Sequence, residues 1–174
     1  MQQPNINPQI VNVFRQVDQN NNGSISPKEL QQALHNGLGK EFNMKTVEIM
    51  MCMFDKDMNG TMDVLEFSRL FLYVQQWQSC FRNCDRDNSG TIDCREFEAA
   101  LIQFGFKLSP QFVQFLIRKF DRDRRGSIGF DDFILVCVCL QNLTNAFKMY
   151  DRQQNGTAYF TFENFLTAAF TVVS

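Results

Sequence analysis

The chain carries one histidine, one tryptophan and four prolines in 174 residues. The single imidazole, His35, has no nucleophile in its sequence context, and no phosphate-cradling glycine loop occurs, so catalysis is not expected. The longest apolar run, Phe133 to Leu140, is far short of the ~18 residues of a membrane-spanning helix. The polar start Met1-Gln2-Gln3-Pro4-Asn5 lacks the apolar core of a signal peptide. With no basic run and no lysine-rich stripe, nucleic acid is not an expected partner.

What is present is a globular composition: 44% apolar and 21% charged residues, with a net charge of −2. Phenylalanine is in excess at 19 residues, more than the other aromatics together. The six cysteines, Cys52, Cys80, Cys84, Cys94, Cys137 and Cys139, fall mostly on expected helices, where a reduced buried thiol is the simple reading. These features predict a cytoplasmic protein.

The carboxylates are gathered into loops. Residues 85–96 place Asp85, Asp87 and Ser89 at positions 1, 3 and 5, Gly90 at the sharp turn, the Thr91 carbonyl at 7, Asp93 at 9 and Glu96 at 12. Six to eight oxygens suit a hard cation, calcium, whereas zinc prefers nitrogen and sulfur. The pattern recurs at 18–29 (Asp18, Asn20, Asn22, Ser24, Ser26, Glu29) and 55–66 (Asp55, Asp57, Asn59, Thr61, Asp63, Glu66). Filling three loops would add roughly six positive charges and reduce repulsion from acidic surfaces.

Two weaker copies follow. At 121–132, Arg125 puts a cation at position 5, Gly129 removes the donor at 9, and Asp132 is one methylene shorter than Glu. At 151–162, Asp151, Gln153 and Asn155 lead to Phe162 at position 12, so this loop is expected to pair rather than to bind strongly.

Loops starting at 18, 55, 85, 121 and 151 are separated by 37, 30, 36 and 30 residues. The short gaps lack Gly and Pro and predict continuous helices at about 64–84 and 131–150. The long gaps hold Gly37 and Gly39, or Gly105 and Pro110, so helices there can fold back. Hands one and two, and three and four, should exchange β bridges at position 8 (Ile25, Met62, Ile92, Ile128), leaving Ala158 of the fifth without a partner in the chain. A homodimer through the fifth hand would cover Phe162, Phe165, Leu166, Ala169 and Phe170. Residues 1–9, with Pro4 and Pro8, predict a short disordered leader.

Five hands with this alternating spacing resemble the penta-EF-hand family over residues 10–174. Trp77-Gln78, Phe104-Gly105-Phe106-Lys107, Ile117-Arg118-Lys119-Phe120 and Phe130-Asp131-Asp132-Phe133 are similar to its group I, the programmed-cell-death-type adaptors. The resemblance implies an all-α fold of five EF-hands with short β bridges. It also implies a calcium sensor that binds proline-rich segments of trafficking or membrane-repair proteins, dimerises with itself or a related chain, and associates with membranes in a calcium-dependent way. A partner pocket near Trp77, Phe104, Phe106 and Phe130 is implied too. The rival expectations are a calcium buffer and a regulatory subunit of a larger enzyme. The methionine-rich stretch Met50-Met51-Cys52-Met53 is expected in the core, with an adaptable binding surface as the alternative.

Overall fold

The computed structural model describes residues 6–34 and 41–173, with side chains placed through 169. The chain divides into two compact units, residues 1–133 and 134–174. In the first, helices α1 (Pro8–Val17), α2 (Pro27–Ala33), α3 (Met44–Phe54), α4 (Val64–Cys84), α5 (Cys94–Gln103) and α6 (Pro110–Phe120) alternate with the loops. Helix α7 (Phe130–Tyr150) runs across the boundary, and the second unit adds α8 (Phe162–Val173). The two long helices α4 and α7 are those expected from the short gaps.

Local chemistry starts the helices. Pro8, Pro27 and Pro110 occupy first-turn positions where a missing N–H costs nothing. Asn7, Ser26, Asn43, Asp63, Asp93 and Ser109 cap them by accepting backbone N–H groups. Pro8 and Gln9 are thus helical, which corrects the expected leader of residues 1–9; residues 1–5 lie outside the described residues. Helix α2 ends at Ala33, with Leu34 already extended. His35 and the expected breakers Gly37 and Gly39 also lie outside the described residues.

The expected pairings form. Ile25 and Met62 exchange backbone hydrogen bonds of 2.8 and 2.9 Å. Strand β1 (Ile92–Asp93) pairs antiparallel with β2 (Ser127–Ile128), with Ile92 opposite Ile128. All four position 8 side chains are buried, so each bridge joins two loops and also plugs the core between their helices. Ala158 makes no bridge among the described residues.

Aromatic rings fill the space between helices. Phe14 meets Phe67 edge-on at 5.7 Å, and fully buried Phe133 is ringed by Trp77, Phe81 and Phe97 at 5.9, 5.4 and 6.3 Å. This accounts for much of the phenylalanine excess. Met50, Met51 and Met62 are core, while Met53 and Met58 are exposed. Helix α7 is, by length and composition, apolar enough to cross a membrane, which counting an uninterrupted apolar run missed. Residues Phe133 through Val138 are all buried, as in a core helix, and its first turn carries Asp131 and Asp132. In the second unit, Phe160 packs on Phe147 and Tyr150 at 6.3 and 4.7 Å.

Candidate metal centres

All five loops share one backbone shape. Positions 4 (Asn21, Met58, Asn88, Arg124, Gln154) and 6 (Gly23, Gly60, Gly90, Gly126, Gly156) have positive φ. Position 6 lies at +76 to +84°, where glycine is favoured because it lacks a Cβ. The first Asp of each loop holds this turn. Its two carboxylate oxygens accept the N–H groups of positions 5 and 6, at 3.1 and 2.9 Å for Asp18, 3.2 and 2.8 Å for Asp55, and 2.9 Å twice for Asp85. Asp121 and Asp151 do the same.

The first Asp also caps the preceding helix: the N–H groups of Asp18, Asp55 and Asp85 donate to Phe14, Met51 and Phe81. A carboxylate at a helix C-terminus opposes the helix dipole, so each loop contains repulsion that a cation would relieve.

Position 12 closes the three complete loops. Glu29, Glu66 and Glu96 each accept the N–H of position 2 on Oε1 and that of position 9 on Oε2. Each is also the third helical residue of a capping box with Ser26, Asp63 or Asp93. Position 9 is thus a helix cap in all three loops. One carboxylate thus joins loop closure to the start of the exiting helix.

In the second and third loops, carboxylate oxygens of Asp55, Asp57 and Glu66, and of Asp85, Asp87 and Glu96, lie within 4.8 Å of one another. Ser89 Oγ lies 3.0 Å from the Thr91 carbonyl oxygen, placing positions 5 and 7 of the third loop side by side. Asn59 Oδ1 accepts both the N–H and the hydroxyl of Thr61. The first loop has only two acids, and amides complete it: Asn20 Nδ2 donates to Glu29, and Asn22 Oδ1 accepts from Ser24. Hydrogen bonds from Ser26 hold Glu29 below the usual carboxylate range, that from Gly60 does so for Asp55, and those from Ser89 for Asp87. Hard oxygen donors kept ionised and crowded together fit calcium.

The fourth loop is closed by a side chain. Arg122, at position 2, donates Nε to Asp132 Oδ2 at 3.1 Å and a terminal N–H to Asp131 Oδ2. Arg125 faces Asp123 at 3.7 Å. Sequence reasoning named Arg125, Gly129 and Asp132 as weakening this loop but missed Arg122, whose position 2 is not a donor position in the loop pattern. In the fifth loop Phe162 is exposed, and the N–H of Arg152 at position 2 donates to the Tyr150 carbonyl.

The four aromatic residues expected to line a partner pocket differ in burial, from exposed Phe104 to buried Phe130. Trp77 and Phe104 meet edge-on at 6.2 Å. Phe130 is buried against Phe42 and Phe81, because the first turn of α7 points it into the core. Phe106 is half-buried, and its N–H donates to Leu101. Phe130 also helps line an apolar cavity of about 320 Å³ with Val17, Leu30, Phe67, Phe71 and Val74.

The family described as an EF-hand domain pair matches residues 8–72 and 74–137. Sorcin from Schistosoma japonicum is 57% identical over 161 residues, covering 92% of this chain and 94% of that one. Peflin from Danio rerio is 41% identical over 169 residues, and the chain spans 63% of its length. A solved structure of a homolog of programmed cell death 6 protein from Leishmania major Friedlin superposes with a TM-score of 0.84 at 36% identity, covering 94% of this chain and 93% of that one. Together with five loops of one backbone shape and two carboxylate cages, these likenesses show a calcium-binding chain that belongs to the penta-EF-hand family.

Proposed function

We propose that the protein is a cytoplasmic calcium sensor and adaptor of the programmed-cell-death-type branch, whose loaded form takes up a proline-rich protein segment. The observation that carries this reading is the double role of Glu66 and Glu96, each closing a loop and capping an exiting helix. A cation that draws these carboxylates inward pulls on the starts of α4 and α5. Helix α4 forms one wall of the apolar cavity beside Phe67, Phe71 and Val74, so its movement changes that cavity's width. A proline-rich segment is pre-extended and suits an aromatic-lined groove. The proposed ligands are Asp18, Asn20, Asn22, Ser24 and Glu29; Asp55, Asp57, Asn59, Thr61 and Glu66; and Asp85, Asp87, Ser89, Thr91 and Glu96.

The fifth hand is the proposed dimer surface. Met149, Tyr159, Phe162 and Phe165 are exposed there, and a second copy is the simplest cover for that apolar area.

The deciding experiment is a pull-down with immobilised proline-rich peptide, in calcium and in chelator, repeated with Glu96→Ala. Calcium-dependent capture that the substitution abolishes is expected. Equal capture in all conditions would leave a buffer as the better reading, as would unchanged binding of a hydrophobic dye on loading. A heterodimer on sizing would favour a regulatory subunit.

A further inference from the structure

The chain holds two serine-proline pairs, Ser26-Pro27 and Ser109-Pro110, and the fold treats them oppositely. In both, the serine caps a helix whose first residue is the proline, and its backbone is extended. Ser26 is half-buried in the first loop, where its hydroxyl donates to Glu29 Oε2 at 2.6 Å and accepts the Glu29 N–H. Its backbone N–H is taken by the same carboxylate. Ser109 is exposed, as are Lys107, Pro110, Gln111 and Phe112 around it. Its Oγ accepts the Phe112 N–H at 3.3 Å, and its hydroxyl donates to no group among the described residues. The N–H groups of Lys107, Leu108 and Ser109 donate to no backbone carbonyl among the described residues.

A free hydroxyl, an extended backbone at φ −69° and ψ 149°, unpaired N–H groups before it and a proline after it are together what a kinase cleft can take up. We infer that Ser109 is the phosphoacceptor of this chain for a proline-directed protein kinase. In that step the Ser109 Oγ attacks the γ-phosphorus of ATP, the bond to the bridging oxygen of the β-phosphate breaks, and ADP leaves. The hydroxyl proton passes to the catalytic aspartate of the kinase. Where the phosphate would land is receptive. Residues 99–120 contain no acid, Lys107 stands two places before the serine, and the first-turn N–H groups of α6 favour an anion. A charge of about −2 there reinforces the cap of α6 instead of melting it. It also stands beside the exposed ring of Phe112, so an apolar partner covering that ring would have to desolvate the phosphate. Neither the site nor this consequence rests on the reading under Proposed function.

The test is incubation of the full chain with a proline-directed kinase and γ-labelled ATP, with the label located by mass spectrometry. One phosphate per chain, on Ser109, is expected, with none in Ser109→Ala and an unchanged yield in Ser26→Ala. Pro110→Ala should slow incorporation by about tenfold or more, because it empties the pocket that reads the ring. Calcium titrations of the variants that match the parent verify that they are folded. Label on Ser26, or undiminished label in Ser109→Ala, would overturn the proposal. So would a chain that is labelled only after denaturation, which would mean that the fold withholds the serine, or one that is not labelled in either state. In phosphorus NMR the phosphoserine of the folded chain should titrate below the ordinary value of about 6. An unshifted titration would overturn the reinforced cap.

Discussion

The backbone N–H of Asn43 donates to Asp131 Oδ2 at 2.9 Å, joining two residues 88 positions apart. Asn43 caps α3, the entering helix of the second hand, and Asp131 lies in the first turn of α7, the exiting helix of the fourth. Beside this bond Phe42 and Phe130 meet edge-on at 5.6 Å, and Arg122 reaches the same oxygen from the opening of the fourth loop. Asp131 is completely buried, and its Oδ1 has no hydrogen-bond partner among the described residues. The two pairs of hands thus meet at a carboxylate that needs both its donors.

Removing Arg122 should expose that dependence. Arg122→Ala leaves Asp131 and Asp132 without their shared cation, and truncating one partner of a buried pair typically costs about 3–5 kcal/mol. Arg122 is itself half exposed, so a loss nearer 2 kcal/mol in chemical denaturation is expected. An unchanged midpoint would mean that the guanidinium is ornamental.

Acid should act on the same cluster in a definite direction. Burial first, and the neighbouring Asp131 charge second, push Asp132 up to about 6, with Arg122 opposing. A carboxyl with a raised folded-state pKa binds its proton more readily in the native chain. Its contribution therefore falls as pH rises from about 4 to about 6 and is flat above that. In the calcium-free protein Asp132→Asn should flatten this slope. Glu29, Asp55 and Asp87, held below their usual range, contribute in the opposite sense, and that stability is lost as the medium becomes more acid than their unfolded values.

The closing glutamates should dominate metal binding. Glu66→Ala and Glu96→Ala each remove two carboxylate oxygens and a capping interaction. The affected loop should lose more than the ~10–100-fold that removal of a supporting group costs. Calorimetric titration should show one strong site fewer in each variant. Asp93→Ala, which removes the cap but no closing oxygen, should cost about 1 kcal/mol of stability and a smaller part of the affinity.

Backbone strain gives a separate check on the second loop. A Cβ at Gly60 would meet nothing within 4 Å, so Gly60→Ala has room, yet its φ of +76° disfavours any side chain. About 1–2 kcal/mol of destabilisation is expected from the conformation alone. A neutral result in denaturation would show that this turn relaxes.

The fifth hand should set the assembly state. Phe162→Ser with Phe165→Ser removes exposed apolar area at the start of α8. A shift from dimer to monomer in light scattering is expected, with calcium binding by the first three loops retained.

Much of this molecule is local in origin, and so it was readable from residue order. Each hand is a short unit in which an aspartate caps one helix, a glycine turns the chain, and a glutamate starts the next helix. Those interactions span at most twelve residues, so spacing alone marked the loops, the long helices α4 and α7, and the bridges Ile25 to Met62 and Ile92 to Ile128. What spacing could not settle depends on contacts between distant residues. Phe130, which the resemblance places near a partner pocket, is turned by the fold against Phe42 and Phe81. Arg122, outside the donor positions of the loop pattern, gains its role only because Asp131 and Asp132 close on it. Burial is a property of neighbours that the chain acquires only on folding, and for that reason the roles of these residues were decided by the tertiary structure alone.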